Sequence, residues 1–138
     1  MRALGPSWKL RWLPLDGDTY GYTCHDTRTI TLHTDMSFEE RRCTVAHEVE
    51  HARRGPTSLC SDMAEELEVD RAVARLLVPS IRALCDALIW HRGDYERAAE
   101  ELWVDPIILE VRLSALTTSE AGYYQARMAD AILMLGDE

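Results

Sequence analysis

The sequence lacks a long hydrophobic run, an apolar leader segment and an excess of positive charge. No apolar stretch reaches the ~18–20 residues that cross a bilayer. The start, MRALGPSWKLRW, has neither the apolar core nor the cleavage site of a signal peptide. The formal net charge is −9, whereas nucleic-acid binding depends on a basic surface. We therefore predict a cytoplasmic protein with no membrane association and no direct nucleic-acid partner.

The sequence also lacks paired cysteines. Its four cysteines, Cys24, Cys43, Cys60 and Cys85, lie far apart, and none forms a CxxC pair. This spacing argues against a zinc ribbon and against a thioredoxin-type redox site. Scattered cysteines in a cytoplasmic protein are typically reduced and partly buried.

The length and the residue patterns predict one α+β domain over residues 1–138. Residues 1–36 contain three strand-like segments, SWKLRWLPL, YGYTCH and TITLH. The last two flank a short polar turn, which favours a hairpin. We expect these segments to form a small antiparallel sheet.

The remainder of the chain has the start and stop signals of about six helices. Ser37 and Glu40 have the spacing of a capping box, and Gly55-Pro56 would end that helix near Arg54. Further helices are predicted from after Asp62 to before Pro79, over about 80–92, on each side of Val104-Asp105-Pro106, and along SEAGYYQARMADAILML. Residues 37–92 would form the core helices, and residues 93–138 an extension similar to a helix-turn-helix.

The segment VAHEVEHA contains the main chemical signal. His47 and His51 are four residues apart, so a helix places both imidazoles on one face, one turn apart. Two such nitrogens suit a tetrahedral zinc ion. Glu48 lies about 100° around the helix, beside the metal, where it could act as a general base. The pattern therefore predicts a zincin-like HExxH helix with His47 and His51 as ligands and Glu48 as the catalytic group.

A catalytic zinc site needs a third protein ligand. The next helix, AEELEVDRAVARLLVP, offers three glutamates: Glu65, Glu66 and Glu68. Glu65 has the spacing of a capping-box partner of Asp62. Glu68 borders the apolar stripe of Val69, Ala72, Val73 and Leu76, as expected of a ligand at the margin of a cleft. We predict Glu68 as the third ligand, with Glu65 as the alternative.

These segments resemble the ImmA/IrrE family of zinc metallopeptidases over about residues 28–116. The helix ERRCTVAHEVEHARRG is similar to the family's AHExGH helix. Glu68 to Pro79 is similar to Glu-Ala-Asn-x-Phe-Ala-x-x-Leu-Leu-Met-Pro, and Arg112-Leu113 matches a later dipeptide. This chain departs from the pattern at Val49-Glu50, Asp70 and Ala72, where the family often has Leu-Gly, Asn and Phe.

The resemblance implies zinc-dependent endoproteolysis by a phage or mobile-element type of enzyme, with a gluzincin-like glutamate ligand that falls on Glu68. Characterised members cut helix-turn-helix transcriptional repressors, so the implied partner is a protein substrate of that kind. An alternative is a zinc-binding module with the peptidase fold that regulates its partner by docking and not by cleavage.

Two further alternatives concern other residues. Cys43 lies one turn before His47 and could close the zinc site as a fourth ligand, which would make the zinc structural. Residues 94–116 have the spacing of a DNA-binding helix pair, but six acidic and two basic residues give a charge of −4 there.

For stabilising an oxyanion, the sequence offers Tyr20, Tyr22, His33 and His91 without ranking them.

Overall fold

The computed structural model describes residues 5–56 and 62–136. Within these ranges the fold is α+β, as predicted, with a small sheet followed by helices. The elements are β1 (Lys9–Leu13), β2 (Gly21–Cys24), β3 (Thr29–His33), α1 (Phe38–Arg54), α2 (Asp62–Leu77), α3 (Ile81–Trp90), α4 (Tyr95–Glu101), α5 (Pro106–Ser114) and α6 (Thr118–Gly136). Cys60 lies outside the described residues, and the single-domain assignment over 1–138 stays a prediction.

The sheet is mixed, so the prediction of a wholly antiparallel sheet is wrong. Strands β2 and β3 form the predicted antiparallel hairpin. Strand β1, however, lies parallel to β3, with Leu10 beside Ile30 and Trp12 beside Leu32, and the strand order is β1-β3-β2. Alternating residues identify a strand and its two faces, but they specify neither its neighbour nor its direction. Strand β2 consequently lies at one edge of the sheet.

The helix boundaries follow the local signals in the sequence. The Ser37 hydroxyl accepts from the backbone N–H of Glu40, and the Glu40 carboxylate accepts from the N–H of Ser37, which confirms the capping box. Asp105 caps α5, and Pro106 is its first residue. Gly93, with a φ of 81°, follows α3 in the left-handed region.

Helix α1 packs on two sides. Its Cys43 and Ala46 belong to a core built mainly from the other helices. Its Val49 and Ala52 pack against Ile30 and Leu32 of β3 in a second core. The seam between α1 and α2 therefore lies beside both cores.

Strand β2 comes close to α1 because residue 21 is a glycine. A Cβ atom at Gly21 would lie 3.0 Å from the Thr31 carbonyl oxygen and 3.1 Å from the Cγ2 of Thr44 on α1. Contacts this short would require the strand or its neighbours to shift by a few tenths of an ångström. Gly21 thus allows the edge strand to lie directly on the helix that carries His47 and Glu48.

None of the helices in the described part of the chain is long and apolar enough to cross a bilayer.

A buried ion pair fastens α6 to the other helices. Arg112 on α5 is 1% exposed, and its Nε donates to the carbonyl oxygen of Val78 at 2.7 Å. Its other nitrogens donate to both carboxylate oxygens of Glu120 on α6. The Arg112 guanidinium lowers the pKa of Glu120 from 4.5 to about 2. The burial of Arg112 also removes one of the two basic residues of segment 94–116 from any contact with DNA.

Replacing Glu120 should therefore destabilise the fold. Glu120→Ala leaves the Arg112 charge buried without its partner, and we expect the free energy of unfolding at neutral pH to fall by about 3 kcal/mol. Because the pKa of Glu120 is depressed in the folded state, its contribution is complete above the unfolded-state pKa and is lost as the pH falls toward about 2. Urea unfolding of both proteins from neutral to acidic pH should show their difference shrinking in acid. A constant difference would contradict this assignment.

Candidate metal centre

Helix α1 turns two imidazoles toward one point. The Nε2 atoms of His47 and His51 lie 3.2 Å apart. The residues are one helical turn apart, and their side chains are 26% and 14% exposed. The facing ring nitrogens leave both Nδ1 atoms directed away from that point.

Glu66 on α2 supplies a carboxylate to the same point. Its Oε2 lies 3.1 Å from His47 Nε2, and its Oε1 lies 2.9 Å from His51 Nε2. Among the described residues, these three side chains form the group that could hold a metal ion. Ligands at zinc distances of about 2.0–2.1 Å lie about 3.3 Å from one another in a tetrahedron. The spacing of the three side chains therefore fits a single zinc ion, and their donor types also favour zinc.

Glu68, the predicted third ligand, is not brought to the histidines. Its carboxylate is paired with Arg54 Nη1 at 3.0 Å, and its side chain is 62% exposed. The sequence analysis assumed that Leu76 belongs to the apolar stripe of α2 that packs in the core. Leu76 is instead 43% exposed, whereas Val69, Val73 and Ala74 are buried. The inward face of α2 is thus rotated from the expected one, and Glu66, whose side chain is 53% exposed, lies at its margin facing α1.

Two more carboxylates lie behind the histidines. Asp70 Oδ1 is 3.2 Å from His47 Nδ1. Burial raises the pKa of Asp70, and the nearby His47 opposes that rise. Glu65 Oε1 is 3.8 Å from His51 Nδ1, and this oxygen is buried with no hydrogen-bond partner among the described residues. Sequence reasoning missed Glu66 and Asp70 as a pair, although their four-residue spacing on α2 matches that of the histidines on α1.

Glu48 occupies a separate position on α1. It is 7% exposed, and its Oε2 accepts a hydrogen bond from Thr23 Oγ1 of β2 at 2.6 Å. The carboxylate is therefore fixed between the helix and the edge strand. The role of Glu48 beside the two histidines stays a prediction.

A cleft of about 330 Å³ runs between β2 and the helices, beside His47 and Glu48. Its wall includes Tyr20 and Gly21 of the strand side, and its lining also includes Asp18 and Asp105. A neighbouring groove shares Asp105 and adds Glu39, Glu40, Glu96 and Glu100. The cleft is thus acidic and would repel the phosphates of a nucleic acid.

The other residues considered in the sequence analysis lie in different surroundings. Tyr20 lines the cleft, and its hydrogen bond to Glu40 raises its pKa. The Tyr22 hydroxyl accepts from Arg11, His33 Nδ1 accepts from the N–H of Leu15, and His91 faces Glu101. Of the four possible oxyanion donors, Tyr20 is therefore the one that lines this cleft.

Cys43 also lines the cleft, but it does not join the group of His47, His51 and Glu66. Its Sγ accepts from the backbone N–H of Asp105 at 3.5 Å. Burial raises the pKa of the Cys43 thiol, which disfavours the thiolate form that zinc requires. This geometry favours a site with three protein ligands over one closed by Cys43.

No family model matches the chain, and no curated protein matches it at a significant level. The resemblance to the ImmA/IrrE family therefore rests on the motif residues quoted above.

Zinc binding by Glu66 and Glu68 variants distinguishes the two candidate ligands. We expect Glu66→Ala to lose most of the zinc found in wild type, about one ion per chain, because it removes the carboxylate facing both imidazoles. The Glu68→Ala variant removes the same charge from the same helix and should keep its zinc. Elemental mass spectrometry of purified proteins, with His47→Ala as the reference for a lost site, makes the comparison. Loss of zinc from Glu68→Ala alone would restore Glu68 as the ligand.

Proposed function

We propose that this chain is a zinc-dependent endopeptidase. The observation that carries the proposal is the close approach of His47 Nε2, His51 Nε2 and the two Glu66 carboxylate oxygens, at 2.9–3.2 Å, beside a buried Glu48. Zinc would be held by these three side chains, with Glu66 taking the role that the sequence analysis gave to Glu68. The proposal is compatible with the resemblance to the ImmA/IrrE family and with its zinc-dependent chemistry.

A zinc ion bound there would supply Lewis acidity, which makes water a better nucleophile and polarises a carbonyl group. The protein residues would provide proton transfer and orientation. Glu48 would take a proton at its carboxylate and return it to the departing amine. Thr23 would hold that carboxylate in place through its hydroxyl group.

The position of β2 supports a polypeptide substrate. As an edge strand, β2 can pair through its free backbone groups with an extended peptide. Gly21 and the preceding Tyr20 line the cleft next to His47 and Glu48, so a peptide added there would pass the metal group. The acidic lining would favour a substrate segment with basic side chains.

The substrate class we propose is a regulatory protein such as a helix-turn-helix repressor, as the family resemblance implies. The acidic cleft supports a protein partner over a direct nucleic-acid partner. The proposed location is the cytoplasm.

Glu48→Gln tests the enzymatic role directly. The amide keeps the size of the side chain but cannot accept the proton, so we expect normal zinc content and a fall in kcat of about 10²–10⁴-fold. The measurement is cleavage of a panel of helix-turn-helix repressors and of an unfolded protein such as casein, followed by mass spectrometry of the fragments.

Glu50→Gln is the matched control for that experiment. Glu50 lies on the same helix between the two histidines, but its carboxylate pairs with Arg53 at 2.7 Å. The Glu50→Gln variant should therefore cleave the substrate as wild type does. Equal cleavage by wild type and Glu48→Gln would contradict the mechanism. A function that requires zinc but not Glu48 would identify the docking module instead.

A further inference from the structure

His47 and His51 each face a second carboxylate, which lies on the Nδ1 side of the ring, away from Glu66. On α1 the order is His47 then His51, and on α2 it is Glu65, Glu66, then Asp70. His47 lies beside Asp70 and His51 beside Glu65, so the helices pass in opposite directions at this seam. Glu66 lies between the two pairs and faces both Nε2 atoms.

At His47 both ring nitrogens face a carboxylate, Nδ1 facing Asp70 and Nε2 facing Glu66. A neutral imidazole carries one proton, and it binds a metal through the nitrogen that lacks it. The Asp70 carboxylate, 3.2 Å from Nδ1, can only accept, so it favours a proton on Nδ1. The Glu66 carboxylate, 3.1 Å from Nε2, favours a proton on that nitrogen in the same way, but a zinc ion held by Nε2 and Glu66 would leave the ring proton on Nδ1, where Asp70 accepts it.

At His51 the same arrangement is incomplete. The distance from Nδ1 to Glu65 Oε1 is 3.8 Å, which is too long for a hydrogen bond. That oxygen is nevertheless buried and has no partner among the described residues. A buried carboxylate oxygen without a donor destabilises a fold, and the Nδ1–H of His51 is a candidate donor for Oε1.

We propose that Asp70 and Glu65 are positioning residues that hold the Nδ1 protons of His47 and His51 and thereby strengthen zinc binding. The proposal rests on the proposed zinc site. Zinc on Nε2 of His51 requires the proton to be on Nδ1, and this proton supplies the donor that Glu65 lacks. Glu65 thus contributes to zinc affinity, whereas in the zinc-free protein its Oε1 has no donor and its Oε2 lies 3.8 Å from Arg54 Nη1.

The test is zinc affinity, measured by competition with a chromogenic chelator, together with the Tm of each zinc-free protein. The variants are Asp70→Ala, Glu65→Ala and the conservative Asp70→Asn. Glu68→Ala is the matched control because it removes one charge from the same helix without touching a histidine.

We expect Asp70→Ala and Glu65→Ala to bind zinc about 10–100-fold more weakly than wild type. Asp70→Asn should fall between, since its amide oxygen still accepts from Nδ1 but carries no charge. Glu68→Ala should bind as wild type does. The zinc-free Tm of Glu65→Ala should be no lower than that of Glu68→Ala, because Oε1 of Glu65 has no donor to lose.

Three results would overturn the inference, and they differ in what else they affect. If Asp70→Ala and Glu65→Ala bind zinc as tightly as Glu68→Ala does, the positioning role is wrong and the metal site stands. If their weaker binding comes with a matching loss of zinc-free Tm, the two carboxylates support the fold alone. If wild type binds no zinc, the proposed function fails together with the inference.

Discussion

The double packing of α1 is the constraint on which the rest of the structure depends. One side of the helix packs on the sheet through Val49 and Ala52, and another packs on the remaining helices through Cys43 and Ala46. These side chains are small or medium in size, so both neighbours come close to the helix axis. A further side of the helix faces α2 and carries the two histidines. Because both flanks are fixed by packing, the two cores determine where α1 presents the imidazoles.

Much of the helical part of this fold is encoded locally. The Ser37–Glu40 capping box and Pro106 act through a few neighbouring residues, and the observed helices begin where those signals predict. The sheet was only partly predictable. The hairpin of β2 and β3 depends on a short turn and was anticipated, whereas the parallel pairing of β1 with β3 is a long-range contact. Alternation of side chains is compatible with either direction of a strand, so the mixed sheet could not be derived from it.

The candidate site shows the same division between local and long-range information. His47 and His51 share a face of α1 by helical periodicity alone, and the structure places their Nε2 atoms together. The choice among the glutamates of α2 depends on how that helix is rotated against α1. Periodicity in the sequence predicts this rotation only if the buried residues of α2 are assigned correctly. The assignment was wrong at Leu76, which is apolar but exposed. The buried Val69 and Val73 define a face whose margin directs Glu66 toward the histidines, whereas Glu68 is directed toward Arg54.

Arg54 distinguishes Glu68 from the other carboxylates that lie between α1 and α2. It lies at the end of α1 and pairs with Glu68, so the most exposed of the three glutamates is neutralised by a cation. Glu66 and the buried Oε1 of Glu65 are left facing imidazoles, which can offer protons or lone pairs but not a permanent charge. Neighbouring carboxylates without a fixed cation repel one another. The seam therefore concentrates negative charge where the imidazole nitrogens converge, and a divalent cation is the partner that would neutralise it.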